Sequence, residues 1–264
     1  MADEQHRSPL IVTFEQHPRQ VLQADYIPQL LTTPAERKLL LEAYGEVAML
    51  DFNAIRSLTA KQFMELLRSE YDVQVLLMGY DHRFGSDGLK HPQEYRAIGR
   101  QTGIEVVTMN EYIEGEWHVS STEIRRALEL GNVTMASELL GRPYSLSGTV
   151  VHGKGLGRRL GFPTANIAPE DAHKIVPRAG VYSVEARTAQ WGKPAMLNIG
   201  TNPTIGNEDL TIEVHIPGFE GNLYGERMEI LFLRFIREER RFASIEELQA
   251  QIRADVDSSL HRDA

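Results

Sequence analysis

The pattern of apolar residues changes at about residue 142, and this change constrains the fold more than any other feature. Up to residue 110, short apolar runs alternate with segments that open with helix-start signals. Such alternation is typical of an α/β domain built on a parallel sheet. After Tyr144, strand-like runs separated by Gly, Pro and Asn turns predict an antiparallel barrel. We therefore expect an α/β domain over residues 1–141 and a β-barrel domain over residues 144–264.

Within these two regions the sequence predicts individual elements. In the first half, apolar runs predict buried strands at residues 10–14, 47–52, 73–78 and 104–109. Two helices there should open with capping boxes, formed by Thr33 with Glu36 and by Thr59 with Gln62. In the second half, strands are predicted at residues 145–151, 181–188, 195–199, 210–216 and 228–236. A last helix carries an apolar stripe that should cover the barrel, made of Ile245, Leu248, Ile252, Val256 and Leu260.

Composition excludes several classes of function. The formal net charge of −9 argues against a large nucleic-acid surface, although a single nucleotide can still be bound locally. No apolar run approaches the roughly 20 residues that cross a bilayer, so we expect no membrane partner. The polar N-terminus does not resemble a signal peptide, and the chain has no cysteine. The simple expectation is a cytoplasmic protein.

The most informative segment follows the first predicted barrel strand. Residues 153–161 contain four glycines, which allow close backbone approach and can direct N–H groups at phosphates. The candidate phosphate-binding residues here are Gly153, Lys154, Gly155 and Gly157. A flexible hairpin tip with incidental basic residues would explain the same glycines.

Two polar residues follow this glycine loop. In an extended segment, Thr164 and Asn166 point to the same face and present a hydroxyl next to an amide oxygen. Such hard oxygen donors suit Mg²⁺ that is already bound to ATP. A simple turn after Pro163 is the alternative.

The segment Leu160-Gly161-Phe162-Pro163-Thr164-Ala165-Asn166 closely resembles the signature of the riboflavin kinase family. The family's further motifs follow in order: residues 198–204, 213–215 and 222–225. The resemblance implies a six-stranded barrel that transfers the γ-phosphate of ATP to riboflavin, with FMN as product and Mg²⁺ accompanying ATP. Glu213 falls at the position of the family's catalytic base, although the strand pattern alone fits a solvated surface glutamate. The expected flavin contacts are Asn198, Thr201, Thr204 and Arg241.

The first half resembles the FMN adenylyltransferase module of bifunctional bacterial FAD synthetases. The matching segments are residues 13–19, 79–85 and 119–125. The candidate residues that this resemblance implies are His17, Asp81, Arg83, Ser120, Ser121, Thr122 and Arg125. A helix start with free N–H groups favours an anion, but Ser120 would serve equally as a plain helix cap.

The family usually begins with a strand and a glycine-rich turn that holds a His-x-x-His element. No such segment precedes Leu10, so we expect an incomplete adenylyltransferase half that makes little FAD. Two alternatives remain open. One is a fully bifunctional FAD synthetase whose start lies upstream, and the other is a flavin-binding or regulatory protein without catalysis.

Overall fold

The computed structural model describes residues 2, 4, 6–110, 113–114, 117–153, 155–204 and 207–260. The chain divides into two compact units. The first unit comprises Met1–Pro28 and Thr32–His118, and the second comprises Gln29–Leu31 and Val119–Ala264. The short segment 29–31 therefore belongs to the second unit, together with the helical stretch that follows residue 119.

The first unit contains parallel strand pairs, as the alternating sequence pattern predicted. Strand β1 (Leu10–Phe14) pairs in parallel with β2 (Glu46–Leu50), and β3 (Val75–Met78) pairs in parallel with β4 (Glu105–Thr108). Among the described residues these are two separate two-stranded sheets. A short antiparallel hairpin follows, formed by β5 (Ile113–Glu114) and β6 (Trp117–His118).

Helices cover these strands. They are α1 (Pro18–Leu22), α2 (Pro34–Glu42), α3 (Phe52–Ile55), α4 (Ala60–Tyr71) and α5 (Pro92–Thr102). Both predicted capping boxes are confirmed: Thr33 and Glu36 exchange hydrogen bonds, as do Thr59 and Gln62. A small core unites this unit's second half, and its buried members are Ala60, Met64, Met78, Tyr95, Ile104 and Val106.

The second unit is built on a closed six-stranded barrel with antiparallel neighbours. Its strands are β7 (Ser145–Val151), β8 (Thr164–Pro169), β9 (Gly180–Arg187), β10 (Gly192–Thr204), β11 (Asn207–His215) and β12 (Arg227–Arg237). The order around the barrel is β10-β11-β8-β7-β12-β9, and β10 and β12 are both paired with β9. The predicted barrel is confirmed. The sequence pattern indicated β8 only as an extended segment.

Four helices of the described chain belong to this unit: α6 (Ser121–Glu129), α7 (Val133–Leu140), α8 (Leu156–Arg159) and α9 (Ile245–Leu260). Residues from α6 and α7 share one large core with the barrel strands. Among the helices that the structure describes, none is long and apolar enough to span a membrane.

The apolar stripe predicted for α9 is wrong at its first residue, because Ile245 is 60% exposed. Polar residues contribute instead to the buried face of this helix. Asp255 is 2% exposed and accepts a hydrogen bond of 2.7 Å from Arg237 of β12, and the Ser259 carbonyl accepts one from Ser183 of β9. Hydrophobic periodicity alone could not reveal this polar anchoring.

Candidate active site

The barrel register brings three of the predicted site residues into one row. Asn198 of β10 lies directly opposite Glu213 of β11, and Glu213 lies directly opposite Asn166 of β8. Residues that face each other across antiparallel strands have Cα atoms only about 4.5–5.5 Å apart. The row therefore places a carboxylate between two amide side chains, all three half-buried.

Thr164 contacts the same carboxylate. Its hydroxyl Oγ1 donates a hydrogen bond of 2.9 Å to Oε2 of Glu213, and both side chains are half-buried. A hydroxyl that donates its proton keeps its oxygen lone pairs for a cation. Together with the amide oxygen of Asn166, two residues further along β8, this oxygen forms a hard donor set that fits Mg²⁺.

The glycine loop packs tightly against these donors. A Cβ atom at Gly153 would overlap the side-chain amide of Asn166, and one at Gly157 would overlap the carbonyl of Phe162. Gly155 has a φ of +67° and caps helix α8, so this turn also favours glycine. Lys154 lies outside the described residues. The loop thus brings its backbone within contact of the proposed metal-binding face.

A pocket of about 400 Å³ opens beside Thr164. Its lining combines apolar residues with Arg158 and Tyr224. The Tyr224 ring stacks on His152, with ring centroids 3.8 Å apart and an angle of 26°. The volume lies in the range typical of small-molecule sites. The pocket is lined by Val150, Arg158, Pro163, Thr164, Ala165, Val214, Ile216, Phe219, Gly221, Asn222, Leu223 and Tyr224.

The predicted flavin contacts extend along β10 and past β12. Thr201 and Thr204 lie opposite Leu210 and Asn207 in the backbone register, and their side chains are outside the described residues. Arg241 is exposed in the segment between β12 and α9.

Sequence reasoning missed a carboxylate close to this row. Oε1 of Glu239 accepts a hydrogen bond of 3.3 Å from Asn198 Nδ2 and would lie 2.6 Å from a Cβ atom at Gly200. The only sequence signal for Glu239 was its place in the run of charged residues 237–241. Such runs are usually solvated surface, so the contact could not be foreseen.

A second missed residue is His215, which is 7% exposed on β11. Its Nδ1 atom lies 2.9 Å from the carbonyl oxygen of Pro163. In the sequence it stood out only as part of the family motif of residues 213–215, which gave no indication of this contact.

The candidate residues of the adenylyltransferase half are divided between the two units. In the first unit, His17 caps α1 by accepting a hydrogen bond of 3.2 Å from the Arg19 N–H. Asp81 and Arg83 are exposed in the turn after β3, and Arg83 lines a second pocket of about 450 Å³.

The remaining candidates of that half lie at the start of α6, in the second unit. Ser120 caps this helix, since its Oγ accepts a hydrogen bond of 3.3 Å from the Glu123 N–H. Ser121 and Thr122 are exposed in the first turn. Arg125 donates a hydrogen bond of 2.9 Å through Nε to the carbonyl of Gln29.

Comparison with known proteins covers both halves of the chain. The family model described as FAD synthetase matches residues 1–123, and the one described as riboflavin kinase matches residues 140–261. The bifunctional riboflavin kinase/FMN adenylyltransferase of Escherichia coli K12 is 35% identical over 251 residues, which are 93% of this chain and 80% of that protein. The enzyme of the same name from Bacillus subtilis is 35% identical over 266 residues, covering 97% of this chain and 82% of its own.

One solved structure is similar over nearly the whole chain. It is described as a macrolide-efflux protein from Streptococcus pneumoniae, and it matches with a TM-score of 0.90 and 32% identity over 99% of this chain and 86% of its own. From the extent and identity of these matches, the chain belongs to the bifunctional riboflavin kinase/FMN adenylyltransferase family.

Proposed function

We propose that the barrel unit is an ATP:riboflavin 5′-phosphotransferase whose kinase domain spans residues 144–264. The observation that carries this proposal is the hydrogen bond between Thr164 and Glu213 within the row of Asn198, Glu213 and Asn166. It joins a candidate base and a candidate metal ligand that are far apart in the sequence. Membership of the family supports the same reaction.

In this proposal Glu213 is the general base. Its carboxylate accepts the proton of the riboflavin 5′-hydroxyl while that oxygen forms a bond to the γ-phosphorus of ATP. The bond between the γ-phosphorus and the β–γ bridging oxygen breaks, and ADP leaves with the electron pair. The hydrogen bond from Thr164 fixes the orientation of the carboxylate, which matters because phosphoryl transfer depends mainly on alignment and charge neutralisation.

Thr164 and Asn166 would hold the Mg²⁺ ion that accompanies ATP. When bound there, the ion neutralises charge on the phosphates. The N–H groups of Gly153, Gly155 and Gly157, with Lys154, would contact the same phosphates. The nucleotide would occupy the pocket of about 400 Å³ that Thr164 and Arg158 line. Riboflavin would then approach Glu213 from the side of Asn198, with Thr201, Thr204 and Arg241 as further contacts.

A second activity, adenylyl transfer to FMN with little FAD formed, is proposed for the FAD-synthetase-like half, residues 1–141. The pocket of about 450 Å³ in the first unit supports it, because aromatic side chains and Arg83 line that pocket. Phe63 and Phe84 lie there with ring centroids 5.1 Å apart, a suitable wall for a planar flavin ring. Candidate residues are His17, Asp81, Arg83, Ser120, Ser121, Thr122 and Arg125.

The test is to incubate the purified protein with riboflavin, ATP and Mg²⁺ and to measure FMN and ADP by chromatography. We expect equal amounts of the two products and no FMN when Mg²⁺ is chelated. Protein that binds riboflavin but forms no FMN would contradict the kinase proposal and favour a flavin-binding protein without catalysis. Because ATP and riboflavin are the proposed substrates, we place the protein in the cytoplasm. Supplying FMN and ATP and measuring FAD and pyrophosphate tests the second activity separately.

A further inference from the structure

The side chain of His215 is buried two residues from the proposed base, yet the proposed mechanism gives it no task. Only 7% of the residue is exposed. In the pairing of β11 with β8, His215 lies directly opposite Thr164, and Glu213, two residues earlier on β11, lies directly opposite Asn166. A buried imidazole at this position needs a polar partner to offset its desolvation.

That partner is the carbonyl oxygen of Pro163, 2.9 Å from His215 Nδ1. A carbonyl oxygen can only accept a hydrogen bond, so Nδ1 must carry the proton. The ring of Phe162 meets the imidazole edge-on, with centroids 5.6 Å apart and an interplanar angle of 79°. The imidazole is therefore held by the two residues that immediately precede Thr164.

The position of this hydrogen bond along the strand explains its importance. Strand β8 begins at Thr164, and the described register between β8 and β11 ends at the pair Thr164 and His215. The Pro163 carbonyl shares a peptide plane with the Thr164 nitrogen. Fixing this carbonyl therefore fixes the backbone that directs the Thr164 hydroxyl toward Glu213.

We propose that His215 is a positioning residue for phosphoryl transfer, which orients Thr164 for Glu213 and the Mg-ATP complex through the Pro163 carbonyl. This inference rests on the proposed kinase function. It assigns no proton transfer to His215. The imidazole acts only as a donor at one fixed place, so another side chain that presents a donor there should replace it.

The test compares His215→Leu, which removes the donor, with His215→Asn, whose Nδ2 can replace Nδ1. Losing one well-placed hydrogen bond should lower kcat/KM for Mg-ATP on the order of tenfold in His215→Leu, because the metal-ligand geometry relaxes. The affinity for riboflavin should stay unchanged. His215→Asn should retain kcat/KM within about threefold of wild type, since its donor is preserved.

Two further variants separate positioning from general destabilisation. Adding His215→Leu to Thr164→Val should reduce activity no further than Thr164→Val alone, since His215 acts through Thr164. Ser183→Ala is the matched control. It removes another buried hydrogen bond from a barrel side chain to a carbonyl, the 3.0 Å contact with Ser259 of α9, and should leave the KM for Mg-ATP unchanged.

The inference would be overturned if the losses of activity in His215→Leu and Thr164→Val were additive. It would also be overturned if His215→Asn lost as much activity as His215→Leu. A Ser183→Ala variant with the same change in the KM for Mg-ATP would overturn it as well. A measurement on the wild-type protein covers the case in which a variant does not fold. ¹⁵N NMR of labelled histidine should show His215 protonated at Nδ1, and an unprotonated Nδ1 would refute the contact. Wild-type protein without kinase activity would refute the proposed function instead.

Discussion

The two units differ in how their strands are paired. Every strand of the barrel has a partner on each side. The longer strands that the structure describes in the first unit pair only in twos, β1 with β2 and β3 with β4. Open strand edges leave N–H and C=O groups without ladder partners. The units also differ in side-chain burial: Leu77 in the middle of β3 is 51% exposed, whereas Leu197 in the middle of β10 is fully buried.

This difference determines how each unit positions its candidate residues. In the barrel, the register itself places Asn198, Glu213 and Asn166 in a row, so their spacing depends on many backbone hydrogen bonds. In the first unit, His17 lies at a helix start and Arg83 lies in an exposed turn. We conclude that the proposed kinase centre is fixed by the sheet, whereas the candidate residues of the first unit depend on short local contacts.

The comparison of the two units predicts that a substitution that destabilises the second unit leaves the stability of the first unit unchanged. Asp255 is 2% exposed and accepts hydrogen bonds from Nε and a terminal nitrogen of Arg237. Asp255→Ala leaves a guanidinium that is largely buried without its partner, so we expect a loss of about 3–5 kcal/mol in the free energy of unfolding of this unit. Asp25→Ala, at an exposed residue, should change the free energy of unfolding of the second unit by less than about 0.5 kcal/mol.

Hydrogen exchange read by mass spectrometry, on peptides from each unit at increasing urea, measures this effect. Peptides from β9 and β12 should open at lower urea in Asp255→Ala, and peptides from β3 and α4 should be unaffected. Equal changes in both units would show that they unfold together.

The glycine loop offers a test with a somewhat smaller effect. A methyl group at Gly153 would displace the Asn166 amide, and a misplacement of about 1 Å can reduce turnover on the order of 10²-fold. Gly153→Ala should therefore lower kcat/KM for Mg-ATP to about that extent while the melting temperature remains near that of wild type.

The matched variant is Asn166→Ala, which removes the displaced side chain. If Gly153→Ala acts through Asn166, the double variant should be no slower than Asn166→Ala. Additive losses would mean that the loop backbone contacts the phosphates independently of Asn166.

The smallest predicted effect is on how the stability of the second unit depends on pH. Burial raises the pKa of Tyr182 to about 12, and its hydroxyl donates a hydrogen bond of 2.5 Å to the Arg178 carbonyl. A raised pKa means that the neutral phenol contributes stability below about pH 10, which is lost between about pH 10 and 12. In Tyr182→Phe, the free energy of unfolding of the second unit should therefore decrease less steeply as the pH rises through this range.

Urea unfolding followed by circular dichroism at several pH values measures this slope. Tyr44→Phe, at an exposed tyrosine, is the control and should follow wild type. An unchanged slope in Tyr182→Phe would show that other groups cause the alkaline loss.

Much of the fold could be predicted because it is encoded in local patterns. The alternation of strands and helices before residue 110 and the capping boxes at Thr33 and Thr59 need only neighbouring residues. Periodicity could not predict the polar anchoring of α9, because Asp255 is buried only through its pairing with Arg237 of a distant strand.

Part of the candidate site could also be predicted from the sequence. The resemblance to the family singled out Glu213, Thr164 and Asn166, while their mutual contact depends on the register between β8 and β11. The contacts of Glu239 with Asn198 and of His215 with Pro163 join residues more than 40 positions apart. Sequence spacing contains no information on such pairs.

The most direct test of the proposed kinase centre is the turnover of Glu213→Gln, which keeps the shape of the side chain and removes the proposed base. We expect FMN formation at saturating riboflavin and Mg-ATP to fall by about 10²–10⁴-fold, the usual contribution of a general base. Riboflavin and nucleotide binding, measured by fluorescence and calorimetry, should remain near wild type. Glu105→Gln, at an exposed glutamate on β4 of the first unit, should form FMN at the wild-type rate. Near-normal turnover by Glu213→Gln would contradict the account.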